Sequence, residues 1–261
     1  MFASATKAPF AAALIALAIA GFSASARADI YDDAVAHPGR PQVDVKRDPT
    51  DKPAEMLRLA GIKPGMQVAD FLAASGYYSE LLSYIVGPTG HVLLLNNKAY
   101  DDFSNNAWKV RIEKQHLTNV EHRTIDTANM GLGANTLDAI VMIKVYHDLY
   151  WVSPQDGWPK IDVDSVLNQI VTALKPGGVV LVVDHSAKPG TGSDAAQDLH
   201  RIDEAYARKD FESHGLEFVT QSDALRRPDD KRNQITYKGP MVGKTDRFAF
   251  VFRKPAKPSQ P

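Results

Sequence analysis

The feature that most constrains this chain is the alternation of continuous apolar runs with segments of helical pattern. "MQVADFL" is such a run, and "HVLLLNN", "LDAIVMIKVYHD", "GGVVLVVDHS" and the more polar "NVEHRTID" read as the other four of five strands. Apolar runs without a polar face belong to strands covered on both sides. Helical patterns fall near residues 77–86, 105–116, 164–174 and 202–213, and "DKPAEMLRLAGIKPG" precedes them as a short helix. Asp51 is its expected N-cap, Pro53 lies in its first turn and Gly61 ends it. Strands alternating with helices imply a doubly wound, mostly parallel α/β sheet. "LEFVTQS" and "DRFAFVFRK" add two strands, with no crossover helix evident between them, so one of the seven enters antiparallel near the C-terminus. Ligands of such sheets bind beyond the carboxyl ends of the strands, where the strand order reverses.

The chain of 261 residues suits one such domain with extensions. Residues 1–28 carry Lys7, an apolar stretch from Phe10 to Phe22 and the small-residue pattern Ala26-Arg27-Ala28. That is the layout of a secretory signal cleaved after Ala28, and its apolar core is short for a span of about 20 residues. Residues 29–53, broken by Pro38, Pro41, Pro49 and Pro53, read as an arm over a domain at 54–254, and 255–261 as a disordered tail. The expected location is secreted, in a bacterial periplasm, with no membrane association after cleavage. Cysteine is absent, which removes thiol catalysis and cysteine-ligated metal. A net charge of −1 gives no electrostatic case for nucleic acid.

"DFLAASGYY", Asp70 to Tyr78, joins the first strand to the next helix. A strand, a loop of tiny residues and a helix form a cofactor cradle in many α/β enzymes, yet Gly76 is the only glycine here. The same small residues also suit a tight turn that packs helix on strand, and the loop alone does not separate the two.

Together with the alternation, "GIKPGMQVADFLAASGYYSELLSYIVGPTGHV", "HDLYW", "LKPGGVVLVVDHSA", "LHRIDEA" and "TDRFAFVFRKP" resemble the class I S-adenosylmethionine-dependent methyltransferases, and within them a group of exported bacterial proteins. The resemblance covers about Arg47 to Pro255. It implies a Rossmann-like sheet and S-adenosyl-L-methionine as cofactor. In that fold the first loop reads D-x-G-x-G-x-G, and here Leu72, Ala74 and Gly76 stand at the glycine positions. Asp70 is then expected to accept from the ligand's ammonium group. Free N–H groups at the start of the Tyr77 helix receive its carboxylate, and Lys144 lies on the cofactor side. Asn96 replaces the acidic residue that holds the ribose, so Asn96→Asp is expected to tighten binding. Asp126 faces the adenine amino group, or is an ordinary turn aspartate.

"KVYHDLYW", at the end of the fourth strand, gathers polar and aromatic groups where an acceptor would lie. His147 is the expected general base, oriented by Asp148, with His185 beside it at the end of the fifth strand. A base must be neutral, so turnover should rise with pH near the usual histidine pKa of about 6.5. Either histidine is equally readable as a hydrogen-bonded structural residue. Asp148, Asp184 and His185 include metal-ligand types, but they lack the spacing of a ligand motif and no metal is expected. His200, Arg201 and Asp203 start a helix, Asp203 as a cap. Asp246 and Arg247 read as an internal ion pair. Methyl transfer to a small molecule is the leading function. An exported ligand-binding protein that keeps the fold without catalysis is the alternative. The sequence leaves the oligomeric state open.

Overall fold

The computed structural model describes residues 1–2 and 29–256, so the proposed signal cleavage and residues 257–261 of the tail lie outside the described residues. The element order is α1 (Ile30–Val35), α2 (Gln42–Asp51), α3 (Pro53–Ala60), β1 (Gln67–Phe71), α4 (Tyr77–Val86), β2 (His91–Asn96), α5 (Lys98–Phe103), α6 (Ala107–Lys114), β3 (Val120–Thr124), β4 (Leu137–Ile143), α7 (Val163–Ala173), β5 (Leu174–His185), α8 (Ala195–Leu199), α9 (Glu204–Ser213), β6 (Glu217–Ser222) and β7 (Arg247–Arg253). The seven strands form one sheet in the order β3-β2-β1-β4-β5-β7-β6. β1 to β5 pair in parallel, and β7 runs antiparallel to both β5 and β6. The order reverses between β1 and β4, which places a ligand crevice beyond their carboxyl ends.

Because successive side chains of a strand point to opposite faces, each strand feeds two cores. Ile140, Met142, Val180 and Val182 pack with α7 and α9 residues such as Ile170 and Phe211 on one side. Ala139, Val141, Leu181 and Val183 pack with Leu57 of α3 and with Leu81 and Ile85 of α4 on the other. "LKPGG" opens β5 at a register shift against β4. A Cβ on Gly178 would meet the Lys175 carbonyl oxygen at 2.9 Å and the Asp138 and Leu137 carbonyl oxygens at 3.2 Å, so only glycine fits that approach.

Several local expectations are corrected. The segment at 29–53 is helical, and Pro49 sits within α2. Asp51 is the last residue of α2 rather than the cap of α3, whose N-cap is Lys52. A short helix, α5, precedes the one read at 105–116, and α8 interrupts the Gly-rich connection after β5. α9 begins at Glu204, with Asp203 capping it through the Ala205 N–H. His200 belongs to the end of α8, not to the start of α9.

Candidate active site

Asp70 ends β1 almost fully buried, at 3 % exposed, and accepts a hydrogen bond from Ser79 Oγ at 2.7 Å. Burial pushes its carboxyl up to about 7. Leu72, Ala74 and Gly76 all have left-handed backbones, with φ of 53°, 51° and 80°. The loop thus takes left-handed φ at all three glycine positions, although two residues carry side chains that disfavour it. Lys144, just past β4, is also left-handed, with φ 62°. A Cβ on Gly76 would also lie 2.8 Å from Leu94 Cδ1 and 3.4 Å from Arg111 Cδ, so a side chain there requires Leu94 to shift.

Asn96 does not face the crevice as expected for a ribose contact. It is fully buried. Its Oδ1 accepts from the Ala74 N–H at 2.8 Å, and its Nδ2 donates to the Ala74 carbonyl and to Asp101 Oδ1. The amide therefore clamps the loop. Aspartate at this position would set a second carboxylate against Asp101, so the tightening expected of Asn96→Asp does not follow. Asp101 also receives His122, Thr124 and the Trp108 indole N–H. Asp126 is exposed and accepts from the Ala128 N–H, the geometry of a turn aspartate.

The arm supplies much of the polar chemistry at this pole. Asp44, Asp48 and Asp51 of α2 bond, in turn, Arg111, the Tyr77 hydroxyl and a cluster of three cations. Those cations are Arg47, Lys144 at 3.0 Å and Arg247 at 2.5 Å, all on the one Asp51 carboxylate. Burial raises the Asp51 pKa, but the three cations outweigh it and hold the carboxyl below its usual range. Burial, reinforced by Arg47 and Arg247, lowers Lys144 to about 8. Arg247 therefore pairs with the arm, while Asp246 takes Arg232 at 2.6 Å; the expected pair between Asp246 and Arg247 does not form. Among the described residues the Tyr78 hydroxyl and Arg247 Nε are buried without a hydrogen-bond partner. Sequence reasoning missed this group. Its signal was present in the spacing of Asp44, Asp48 and Asp51, which share one helix face.

His147, Asp148 and His185 do come together. His147 Nδ1 lies 2.7 Å from Asp184 Oδ1, and its Nε2 lies 3.2 Å from Asp148 Oδ1. Burial lowers the pKa of this imidazole, but the two carboxylates prevail and push it up to about 10. It is cationic at neutral pH and cannot take a proton there, which corrects its assignment as general base. His185 lies 5.8 Å from His147, ring to ring, and contacts Thr245 Oγ1 through Nδ1 at 2.7 Å. Burial and the neighbouring cations hold it well below the usual histidine range, hence neutral. Asp148 also receives the Tyr100 hydroxyl at 2.5 Å and His200 Nδ1 at 3.1 Å. His200 thus joins the site. Arg201 is fully buried against Asp230 and the carbonyls of Ser186 and Gln234, a structural role.

An open sheet of this order, closed by an antiparallel β7, with a left-handed loop after β1, has the class I S-adenosylmethionine-dependent methyltransferase fold. Comparison with known proteins agrees. The chain is 26 % identical over 148 residues to the ubiquinone/menaquinone biosynthesis C-methyltransferase UbiE of Teredinibacter turnerae, covering 55 % of this chain and 53 % of that one. It is 27 % identical over 195 residues to UbiE of Shewanella woodyi, covering 71 % and 68 %. The chain spans about half the length of most of the curated relatives it matches. Among solved structures, a SAM-dependent methyltransferase from Aquifex aeolicus superposes with a TM-score of 0.58 at 22 % identity, covering 80 % of this chain and 93 % of that one. A putative sarcosine dimethylglycine methyltransferase from Galdieria sulphuraria gives 0.55 at 17 %, covering 82 % and 85 %. No family model matches the chain. The chain thus has the fold of the class I S-adenosylmethionine-dependent methyltransferases and is similar in sequence to methyltransferases of that class.

Proposed function

We propose that the protein transfers a methyl group from S-adenosyl-L-methionine to a small-molecule acceptor. The observation that carries this reading is the left-handed backbone held at Leu72 and Ala74. Non-glycine residues in that region cost about 1–3 kcal/mol each and persist where function demands the geometry. The residues at this pole fit the amino-acid end of the cofactor. Three cations converge on a single Asp51 carboxylate, an excess that a ligand carboxylate would balance. Arg47 and Lys144 remain partly accessible, with side chains 36 % and 23 % exposed. The unpartnered Tyr78 hydroxyl adds a polar group at the same place. Asp70 and the Tyr77 end of α4 complete the cradle.

When bound, the cofactor supplies an electrophilic methyl group. This chain's own contribution is position and proton transfer. His185, fixed through Thr245 at the end of β5, is the imidazole placed to take the acceptor's proton. His147 and Asp148 order the acceptor side as an ion pair. His185→Asn should lower turnover by about 10²–10⁴ while cofactor affinity stays near that of the parent. The reading includes export, with Ala26-Arg27-Ala28 as the cleavage signal, and intact mass of the exported protein should then show Asp29 as its first residue. Among the described residues, no helix is long and apolar enough to cross a membrane.

Calorimetric titration with the cofactor and with its demethylated product tests the reading, with Gly76→Val as the control that should abolish binding. If the folded variant binds as the parent does, the cradle is misplaced. The engagement of Asn96 with Ala74 and Asp101 favours a second reading, a binding protein that keeps the fold without catalysis. Cofactor binding without turnover on any acceptor would select it.

A further inference from the structure

His147, Asp148 and His200 come from two separate segments and meet at the edge of the acceptor side. Each offers one ligand atom, and these three atoms lie within 4.8 Å of one another. Asp148 Oδ1 is 3.2 Å from His147 Nε2 and 3.1 Å from His200 Nδ1. Two metal–ligand bonds of about 2.1 Å place their donors about 3.0 Å apart at a right angle and about 3.4 Å apart at the tetrahedral angle. Both observed separations fall in that interval.

The surroundings match a metal site as well. A ligating histidine usually donates its other ring N–H to a carboxylate, which fixes the ring. His147 does so, through Nδ1 to Asp184 Oδ1 at 2.7 Å, and Asp184 also accepts the His147 backbone N–H at 2.8 Å. Asp148 is steadied by the Tyr100 hydroxyl on Oδ2, which leaves Oδ1 to the two imidazoles. His200 packs edge-on against Tyr237, at 4.7 Å between ring centroids, and its side chain is 13 % exposed. The site is thus shielded on the His147 side and open to solvent past His200.

We propose that His147 Nε2, Asp148 Oδ1 and His200 Nδ1 bind one divalent first-row transition cation, of the zinc or ferrous type. Two imidazoles and one carboxylate disfavour magnesium and calcium, which take all-oxygen sets. Three protein ligands leave coordination positions for water or for an oxygen of a bound small molecule. The cation takes the place of the proton shared between His147 Nε2 and Asp148, which passes to solvent, while the proton that His200 Nδ1 shares with Asp148 shifts to the other ring nitrogen of His200. This inference revises the expectation that the protein holds no metal, and it does not depend on methyl transfer. A second grouping, Asp164, Asp210 and His214, carries no such assignment, because Asp164 is exposed and Asp210 is committed to Tyr146 and Tyr150.

The test uses the untagged full chain, stripped with chelator and titrated with Zn²⁺ by calorimetry and with Co²⁺ by visible absorption. One equivalent of Zn²⁺ should bind at micromolar concentration and raise the melting temperature. Asp148→Asn and His200→Asn should remove that binding; asparagine tolerates the left-handed backbone of residue 200. Asp184→Asn, which reaches the cation only through His147, should weaken it by about 10–100-fold. His214→Asn should bind as the parent does. Absence of uptake by the parent, parental affinity in both folded ligand variants, or loss of binding in His214→Asn overturns the assignment. Should the ligand variants fail to fold, the Co²⁺ spectrum of the parent decides: an intensified, shifted band marks nitrogen ligation, and the spectrum of the aqueous ion overturns the site.

Discussion

Replacing Asp70 by asparagine should make the protein more stable at neutral and alkaline pH. The carboxyl is 3 % exposed, with Ser79 Oγ donating to it at 2.7 Å, and burial lifts its pKa from 3.8 to about 7. A carboxyl whose folded pKa exceeds its unfolded one stabilises the fold while protonated. That contribution is complete below the unfolded value and is lost as pH rises through the folded value. At about 1.4 kcal/mol per unit, a shift of about three units corresponds to about 4 kcal/mol at most. Asparagine keeps an acceptor for Ser79 and carries no titrating proton. Between pH 5 and pH 8 the parent should therefore lose about 3 kcal/mol relative to Asp70→Asn. For a domain of this size that is a melting-temperature difference of about 10 °C. Thermal melts of both proteins across that range measure it, and the difference between them cancels every group that titrates in both. Parallel curves, or an asparagine variant that falls behind as pH rises, would refute the burial argument.

Ala74→Gly removes the penalty of a left-handed alanine at φ 51° and should stabilise the fold by up to about 1 kcal/mol in urea unfolding. Asp51→Ala strips three cations of their shared carboxylate; Arg247, with a side chain only 2 % exposed, bears most of the loss, and unfolding should become about 3–5 kcal/mol easier. Arg201→Lys should destabilise nearly as much as Arg201→Ala, since an ammonium cannot reproduce the fork that serves Asp230, Ser186 and Gln234 together.

The parallel order, the two-faced strands and the antiparallel end were legible because apolar periodicity reports burial directly. The helix at Tyr77–Val86 was legible at both ends. The loop pattern carried over as well, down to the position of Gly76. The arm did not, because its longer helix, α2, is held by ion pairs across long distances in sequence, such as Asp44 with Arg111, and not by an apolar stripe. The charge of His147 was not legible for a related reason. Sequence placed His147 beside Asp148, which raises its pKa, but Asp184, the second carboxylate that does so, arrives from another strand. His200 was invisible as a site residue because only the turn after α8 brings it back to Asp148.

The place of β7 has a consequence for how the chain is made. Residues 247–253 lie between β5 and β6, and Arg247 closes on Asp51, 196 positions earlier. A ribosome releases the chain from its N-terminus, so domains fold as successive units only where each unit is complete. Here completion waits for the last strand. Until it emerges, β5 and β6 have no partner between them, and Asp51 lacks its buried counter-ion. A nascent chain stalled before residue 247 presents open strand edges, which are sites of mispairing. The sheet is therefore complete only once β7 has emerged, and a helper that shields those edges would act before then.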